Sequence, residues 1–245
     1  MIKKAIILTI GNEILSGDVL DENSNWIAKK LFSFGVELEF IFTIPDKENI
    51  IRKFLLDYKD KYNFVFTIGG MGPTPDDVTK LAIANTFNCK LVKNSEVIEL
   101  IKNYYGNNVS EEKLILAIMP EKSKPIFTSD KLWAVGIITE NVYSFPGTPK
   151  LLKDSFSTIE NSFKSESIIY KSKLNINCEE TKFSEIMKEI CNKYNDVDIG
   201  SYPSINDFRN VKIIFKSRSI ESINNARQEF INKLINKLGN NIEIS

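Results

Sequence analysis

Near-continuous apolar runs alternate with amphipathic stretches through the first two thirds of the chain. Residues 4–10, 36–43 and 64–68 are apolar enough to be buried on both faces, which predicts strands. Residues 23–34, 47–60 and 76–87 carry apolar positions at helical spacing and predict the helices between them. A strand–helix period with fully apolar strands predicts an α/β fold, a three-layer αβα arrangement around a mostly parallel sheet. In such sheets ligands bind beyond the carboxyl ends of the strands. The loops at 11–25, 45–46 and 69–77 all leave carboxyl ends, so they should converge on one site.

Residues 94–119 read as two polar helices broken near Gly106-Asn107-Asn108, with Ser110 as N-cap of the second, forming a lid or an oligomer surface. Strands at 135–140 and 142–145 reverse at Glu140-Asn141 and lead through Pro146-Gly147-Thr148-Pro149 into another helix. That loop reads either as a second anion site at a helix start or as a rigid turn capped by Thr148.

Past a Ser/Lys/Glu stretch at 162–167 the pattern changes. Strands at 168–176, 197–202, 211–215 and 242–244, with helices at 182–194 and 220–238, give the order βαββαβ of a small ferredoxin-like α+β module. The expected domains are therefore 1–163 and 164–245. Ile199-Gly200-Ser201-Tyr202-Pro203 reads as a strand end with a turn, or as a ligand or domain contact.

Composition narrows the chemistry. With 245 residues, 42% of them hydrophobic, the chain can build a proper core. Its 32 basic and 32 acidic residues balance, so charge supports neither nucleic acid nor a membrane surface as partner. The apolar run after Met1-Ile2-Lys3-Lys4 is too short to span a membrane, which takes roughly 20 apolar residues, and a cytoplasmic location is expected. Cys89, Cys178 and Cys191 are too scattered for disulfides or zinc and read as small core residues. The sequence has 0 histidines, which removes Ser-His and Cys-His nucleophile systems and the usual zinc ligand. Chemistry must then run on carboxylates, hydroxyls, lysines, backbone amides and a hard cation such as Mg²⁺, Mn²⁺ or Co²⁺.

The most informative segment is Thr67-Ile68-Gly69-Gly70-Met71-Gly72-Pro73-Thr74-Pro75-Asp76-Asp77. A buried strand runs into glycines, whose amides can approach an anion closely, then into a hydroxyl, two carboxylates and a helix. Asp76 and Asp77 fit helix capping or a cation bound to phosphate oxygens.

Gly69 to Asp77 closely resembles the GGxGPTxDD signature of the molybdopterin-binding MoaB/Mog superfamily, in the branch of competence/damage-inducible protein A (CinA). Ile7-Leu8-Thr9-Ile10-Gly11-Asn12-Glu13-Ile14-Leu15-Ser16-Gly17 is similar to that branch's opening strand and loop, with Asp21 to Asn25 leading into a helix. Phe145-Pro146-Gly147-Thr148-Pro149 resembles its PGxP loop, and Ile199 to Pro203 resembles a signature of eukaryotic two-domain FAD synthases. Trp133-Ala134-Val135-Gly136-Ile137 departs from the family's usual Ala-Pro-Gly turn, Thr148 from its Val or Pro, and the segment 106–113 lacks an Arg.

The resemblance implies a homo-oligomer, dimer or trimer, acting on a small nucleotide or pterin. It implies either metal-dependent hydrolysis of a nucleotide pyrophosphate of the ADP-ribose or FAD type, or binding of molybdopterin or a nucleotide without turnover. For hydrolysis, Gly69, Gly70, Gly72 and Thr74 would cradle phosphates. Asp77, with Asp46 or Glu13, would hold the metal, with Asp76 as second ligand or helix cap. Glu13 would orient or deprotonate water, or brace the Gly11-Asn12 turn. Asn12, Ser16 and Asp18 would read polar groups of the ligand or make local turns, and Asn23 would cap a helix or donate to the ligand. Pro146 and Gly147 would meet a second anionic group. As the chain ends at Ser245, the deamidase or FAD-synthesising domain often fused to such modules is expected to be missing.

Overall fold

The computed structural model describes residues 2–106, 108–131 and 133–239. It divides into two units, Met1–Glu166 and Ser167–Ser245.

In the first unit, strands β1 (Lys4–Ile10), β2 (Glu37–Ile44), β3 (Phe64–Ile68), β6 (Lys124–Phe127), β7 (Ala134–Thr139) and β8 (Val142–Phe145) form one sheet in the order β2-β1-β3-β8-β7-β6. The first four in that order are parallel, and β7 and β6 add antiparallel at one edge. The mostly parallel sheet expected from the sequence is present.

Alternation along β1 assigns the two faces. Ile6, Leu8 and Ile10 pack with Ile51 and Leu55 of α3 (Glu48–Tyr58), Ala82 and Ile83 of α4 (Thr79–Thr86), and Val97 and Ile101 of α5 (Ser95–Tyr105). Ala5 and Ile7 pack on the other face with Ile27 and Leu31 of α2 (Glu22–Ser33) and Leu152 and Phe156 of α7 (Pro149–Ile159). The helix after β1 and the helix after β2 thus lie on opposite faces, and the chain changes direction across the sheet between β1 and β3. A crevice opens at such a switch point beyond the carboxyl ends.

Several boundaries differ from expectation. The helix predicted from Asp76 begins at Thr79, so neither carboxylate caps it. Instead Asp77 Oδ2 accepts the Thr74 N–H at 2.9 Å and the Thr74 hydroxyl, while the Asp77 N–H donates to the Thr74 carbonyl at 2.9 Å. This turn, framed by Pro73 and Pro75, uses up the side chain that would have capped the helix. Residues 12–15, read as loop, form a helical turn, α1 (Asn12–Leu15). The second of the two polar helices shrinks to α6 (Glu111–Leu114) and a short 3-10 turn. Around them β4 (Leu91–Lys93) pairs with β5 (Ile118–Pro120), a ribbon the pattern did not announce.

The second unit holds β9 (Tyr170–Asn177), α8 (Glu180–Lys193), β10 (Asp198–Pro203), β11 (Asn210–Ser217) and α9 (Ile220–Leu238), with sheet order β10-β11-β9. Leu174, Ile176, Val211, Ile213 and Phe215 bury against Phe183, Ile190 and Phe230 of the helices. The predicted strand at 242–244 lies outside the described residues. Residues 199–203 are not a turn: they pair in register with β11 from Asp198↔Lys216 to Pro203↔Val211. A Cβ at Gly200 would stand 2.7 Å from the Tyr202 hydroxyl, and the exposed ring could turn aside to make room for it. Among the described residues no helix is long and apolar enough to cross a membrane.

Candidate functional site

A cavity of about 570 Å³ opens at the carboxyl end of the six-stranded sheet. Each parallel strand contributes the residues that follow it. Glu13 comes after β1, Asp46 after β2, Gly69 to Asp77 after β3, and Pro146, Gly147 and Thr148 after β8. Apolar side chains complete much of the lining: Val97, Leu100 and Ile101 from α5, then Leu116, Met119 and Trp133.

The glycines are fixed by close approach. At φ +103°, Gly69 brings its Cα so near β1 that a Cβ would meet the Ile10 carbonyl oxygen at 2.1 Å. Gly70, at φ +61°, sits over Thr79, whose hydroxyl donates to the Gly69 carbonyl at 3.0 Å and whose N–H donates to the Gly70 carbonyl at 3.1 Å. The carbonyls are thereby turned inward and held. The N–H groups of Gly70, Met71 and Gly72 donate to no acceptor among the described residues. Amides fixed in a glycine loop and left without an acceptor form an anion-binding concavity.

Of the residues read as site candidates, Glu13, Asp46, Gly69, Gly70, Gly72, Asp76, Asp77, Pro146 and Gly147 line the cavity. The others stand behind or away from it. Gly11 is buried under the Glu13 carboxylate, where a Cβ would come within 2.5 Å of Oε1. Asn12 gives its backbone N–H to Asp46 Oδ2 at 2.8 Å, tying the β1 and β2 loops together. Ser16 donates to Asp18 Oδ2 at 2.6 Å, and both are exposed, with neither on the cavity wall. Thr74 holds Asp77 in its turn. Asn23 is buried and donates from Nδ2 to the Gly147 carbonyl at 2.7 Å. The α2 cap is Asp21, which accepts the Ser24 N–H at 3.0 Å, so Asn23 braces the β8–α7 loop instead of capping the helix. Thr148 is the α7 N-cap without a side-chain hydrogen bond, and Pro149 opens the helix.

Sequence reasoning gave no site role to Lys80, and met Trp133 only as part of a departure from the family's usual turn. Lys80 is half-buried on the cavity wall one turn after Asp77. Burial pulls its ammonium below the usual lysine pKa, and the Asp77 charge offsets this only in part. The Thr74 hydroxyl, with the residue's own backbone N–H, holds the Asp76 carboxyl below the usual range. The wall therefore combines an ionised carboxylate with a cation short of counter-charge. No cluster of three or more carboxylate, thiol or imidazole groups suited to a metal occurs among the described residues. Asp46, Asp76 and Asp77 nonetheless put hard oxygen donors on one cavity. That suits a cation such as Mg²⁺, which takes one or two carboxylates and completes its shell with water and substrate phosphates.

Residues 6–163 match the family described as "Probable molybdopterin binding domain", and residues 168–241 match "FAD synthase, middle domain". An Archaeoglobus fulgidus protein is 34% identical over 225 residues, covering 92% of this chain and 95% of that one. A CinA-like protein of Thermosipho melanesiensis is 28% identical over 97% of this chain, which spans 61% of that protein's length. The crystal structure of the protein CinA of unknown function from Thermoplasma acidophilum, 26% identical, superposes with a TM-score of 0.60 over 66% of this chain and 98% of that chain. With the GGxGPTxDD loop built into the switch-point cavity of this sheet, the chain belongs to the molybdopterin-binding domain family, and it is similar over most of its length to CinA-like proteins.

Proposed function

We propose that this protein hydrolyses the pyrophosphate bond of a nucleotide of the ADP-ribose or FAD type with the help of a divalent metal ion. One observation carries the reading. Three amides without acceptors, at Gly70, Met71 and Gly72, share a cavity with Asp46, Asp76, Asp77 and the under-compensated Lys80.

A pyrophosphate resists water because its anionic oxygens repel a nucleophile, so catalysis needs charge neutralisation and an oriented water. The glycine-loop amides and Lys80 supply positive potential at fixed positions, where it costs no reorganisation during the reaction. Asp77, with Asp46 or else Asp76, would hold the metal, which when bound would neutralise phosphate charge and polarise the P–O bonds. Glu13, on the same wall, takes the proton of the attacking water. The water oxygen bonds to one phosphorus, the bridging P–O bond breaks, and each product leaves with its own phosphate. The apolar wall of Leu100, Ile101, Leu116 and Met119 suits the ring end of the ligand.

The rival reading is molybdopterin or nucleotide binding without turnover. It draws on the family description and on the lack of a three-ligand metal cluster among the described residues. AMP release from ADP-ribose and FAD, with and without Mg²⁺, Mn²⁺ or Co²⁺, separates the two. Hydrolysis predicts metal-dependent AMP and a loss of about 100-fold in Asp77→Asn, with nucleotide binding retained. Binding without product under every metal selects the rival.

A further inference from the structure

Three aromatic rings pack on one another, and one of them lines the cavity. Trp133 lines it, with its ring centroid 4.7 Å from that of Tyr104 and 6.0 Å from that of Tyr105, and the two tyrosines are 4.8 Å apart. Tyr104 is 55% and Tyr105 41% exposed. The Lys113 ammonium stands 3.7 Å from the Tyr105 ring centroid. This is not core packing, since none of the three belongs to the buried clusters of the unit.

Trp133 is nevertheless held. Its backbone N–H donates to the buried Thr128 hydroxyl at 3.1 Å, and its carbonyl accepts the Thr128 N–H at 2.8 Å. A large ring anchored through its backbone and presented to a cavity is pre-organised for contact at little entropic cost. The same cavity is lined by apolar side chains, Leu100 and Leu116 among them, and by the glycine loop and the carboxylates. A flat, weakly polar ligand group could lie against the indole and aliphatic carbon while its phosphates meet the glycine amides.

We infer that Trp133, backed by Tyr104, forms a stacking subsite that holds the heteroaromatic ring of the cavity's ligand. The inference rests on the phosphate reading of the glycine loop for the other end of the ligand, but not on turnover. Stacking of a base on an aromatic side chain is sequence-tolerant and strong enough to change affinity about tenfold or more. Ribose 5-phosphate and inorganic pyrophosphate would bind at the glycine loop alone.

The experiment is a binding titration of the full chain, metal-free and with Mg²⁺, using ADP-ribose, ADP, inorganic pyrophosphate and ribose 5-phosphate. The chain has 2 tryptophans, and Trp26 packs edge-on against Phe156, so quenching of Trp133 emission reports ring contact directly. ADP and ADP-ribose should quench, and pyrophosphate should not. Trp133→Leu should weaken both nucleotides about tenfold while leaving the calorimetric affinity for pyrophosphate unchanged, and Trp133→Phe should keep most of the nucleotide affinity. Unchanged nucleotide affinity in Trp133→Leu, equal losses for nucleotide and pyrophosphate, or no nucleotide binding at all would overturn the subsite. Selective loss with no hydrolysis by the unaltered protein under any metal would sustain the subsite and remove the hydrolase reading.

Discussion

Asn23 and Gly147, far apart in the chain, are joined directly: the Asn23 side-chain amide donates to the Gly147 carbonyl at 2.7 Å. Gly147 lines the cavity, and a Cβ added to it would stand 3.9 Å from the Cα of Gly69. The bond therefore fixes the β8–α7 loop beside the glycine loop. The Asn23 amide oxygen, Oδ1, is buried with no partner among the described residues, so the residue is retained at a cost, for placement of the loop.

Asn23→Ala removes one hydrogen bond and one unsatisfied oxygen together, so the stability loss should be modest, about 1 kcal/mol. Asn23→Asp sets a carboxylate oxygen against a carbonyl and should cost more, about 2–3 kcal/mol. Urea unfolding at neutral pH ranks the two. The reverse ranking would mean that the Asn23–Gly147 contact is not what holds the loop.

Gly69→Ala tests the switch-point geometry. Its Cβ would meet backbone, the Ile10 carbonyl oxygen, in a left-handed conformation at φ +103°. Neither a rotamer nor a flexible neighbour can relieve that, and a loss of about 2–4 kcal/mol is expected. Gly17→Ala, with nothing within 4 Å of its Cβ, carries only the cost of positive φ, about 1 kcal/mol. Equal losses at the two positions would show that crowding between β1 and β3 is unimportant.

The sheet and the converging loops were legible because each rests on a local rule. Continuous apolar runs such as Phe64–Ile68 mark buried parallel strands, and glycines at a strand's carboxyl end mark a crevice. The start of α4 was misread because the nearest carboxylate bonds backward: Asp77 is captured by Thr74 before it can reach the helix amides. β6 escaped notice because Pro125 inside it argues against a strand, a rule that relaxes at a sheet edge. Lys80 and Trp133 owe their significance to burial and to neighbours distant in sequence, which no spacing rule encodes.

Lys4, Glu39 and Tyr62 form a cluster on β1, β2 and the loop before β3. Tyr62 donates to Glu39 Oε2 at 2.6 Å, and Lys4 pairs with Glu39 Oε1. These bonds hold the Glu39 carboxyl below its ordinary range and push the Tyr62 phenol up to about 12. The Glu39 contribution to stability is present above the unfolded carboxylate pKa and is lost as pH falls through the folded value. The Tyr62 contribution is full below about pH 10 and disappears between there and 12. Burial of Tyr143 and the Glu229 hydrogen bond of Tyr194 also raise those phenols, so absorbance titration of the phenolate band should show several tyrosines ionising late, and Tyr62→Phe should reduce the amplitude of that late phase by one phenolate. An unchanged late amplitude in the variant would assign the shift to another tyrosine.

Lys80 carries the sharpest conflict between stability and function. Its ammonium is held below the ordinary pKa by burial, with Asp77 as partial compensation. In the window between the folded and unfolded lysine values the unfolded chain binds more protons, so stability from this group rises with pH. Below that window the charged form is a standing penalty. Lys80→Met removes the charge, keeps the stem's packing, and should raise the stability of the ligand-free protein at neutral pH by about 0.5–2 kcal/mol. The same change should weaken pyrophosphate and ADP-ribose together, by about tenfold, because a partly desolvated cation close to the phosphates interacts strongly with them. An anion beside Lys80 restores its ordinary protonation, so binding at alkaline pH should take up a proton. Calorimetry in buffers of different ionisation enthalpy measures that uptake, which should be absent in Lys80→Met. A variant that is both less stable and equally good at binding would place Lys80 among the structural cations and leave the glycine amides to hold the phosphates alone.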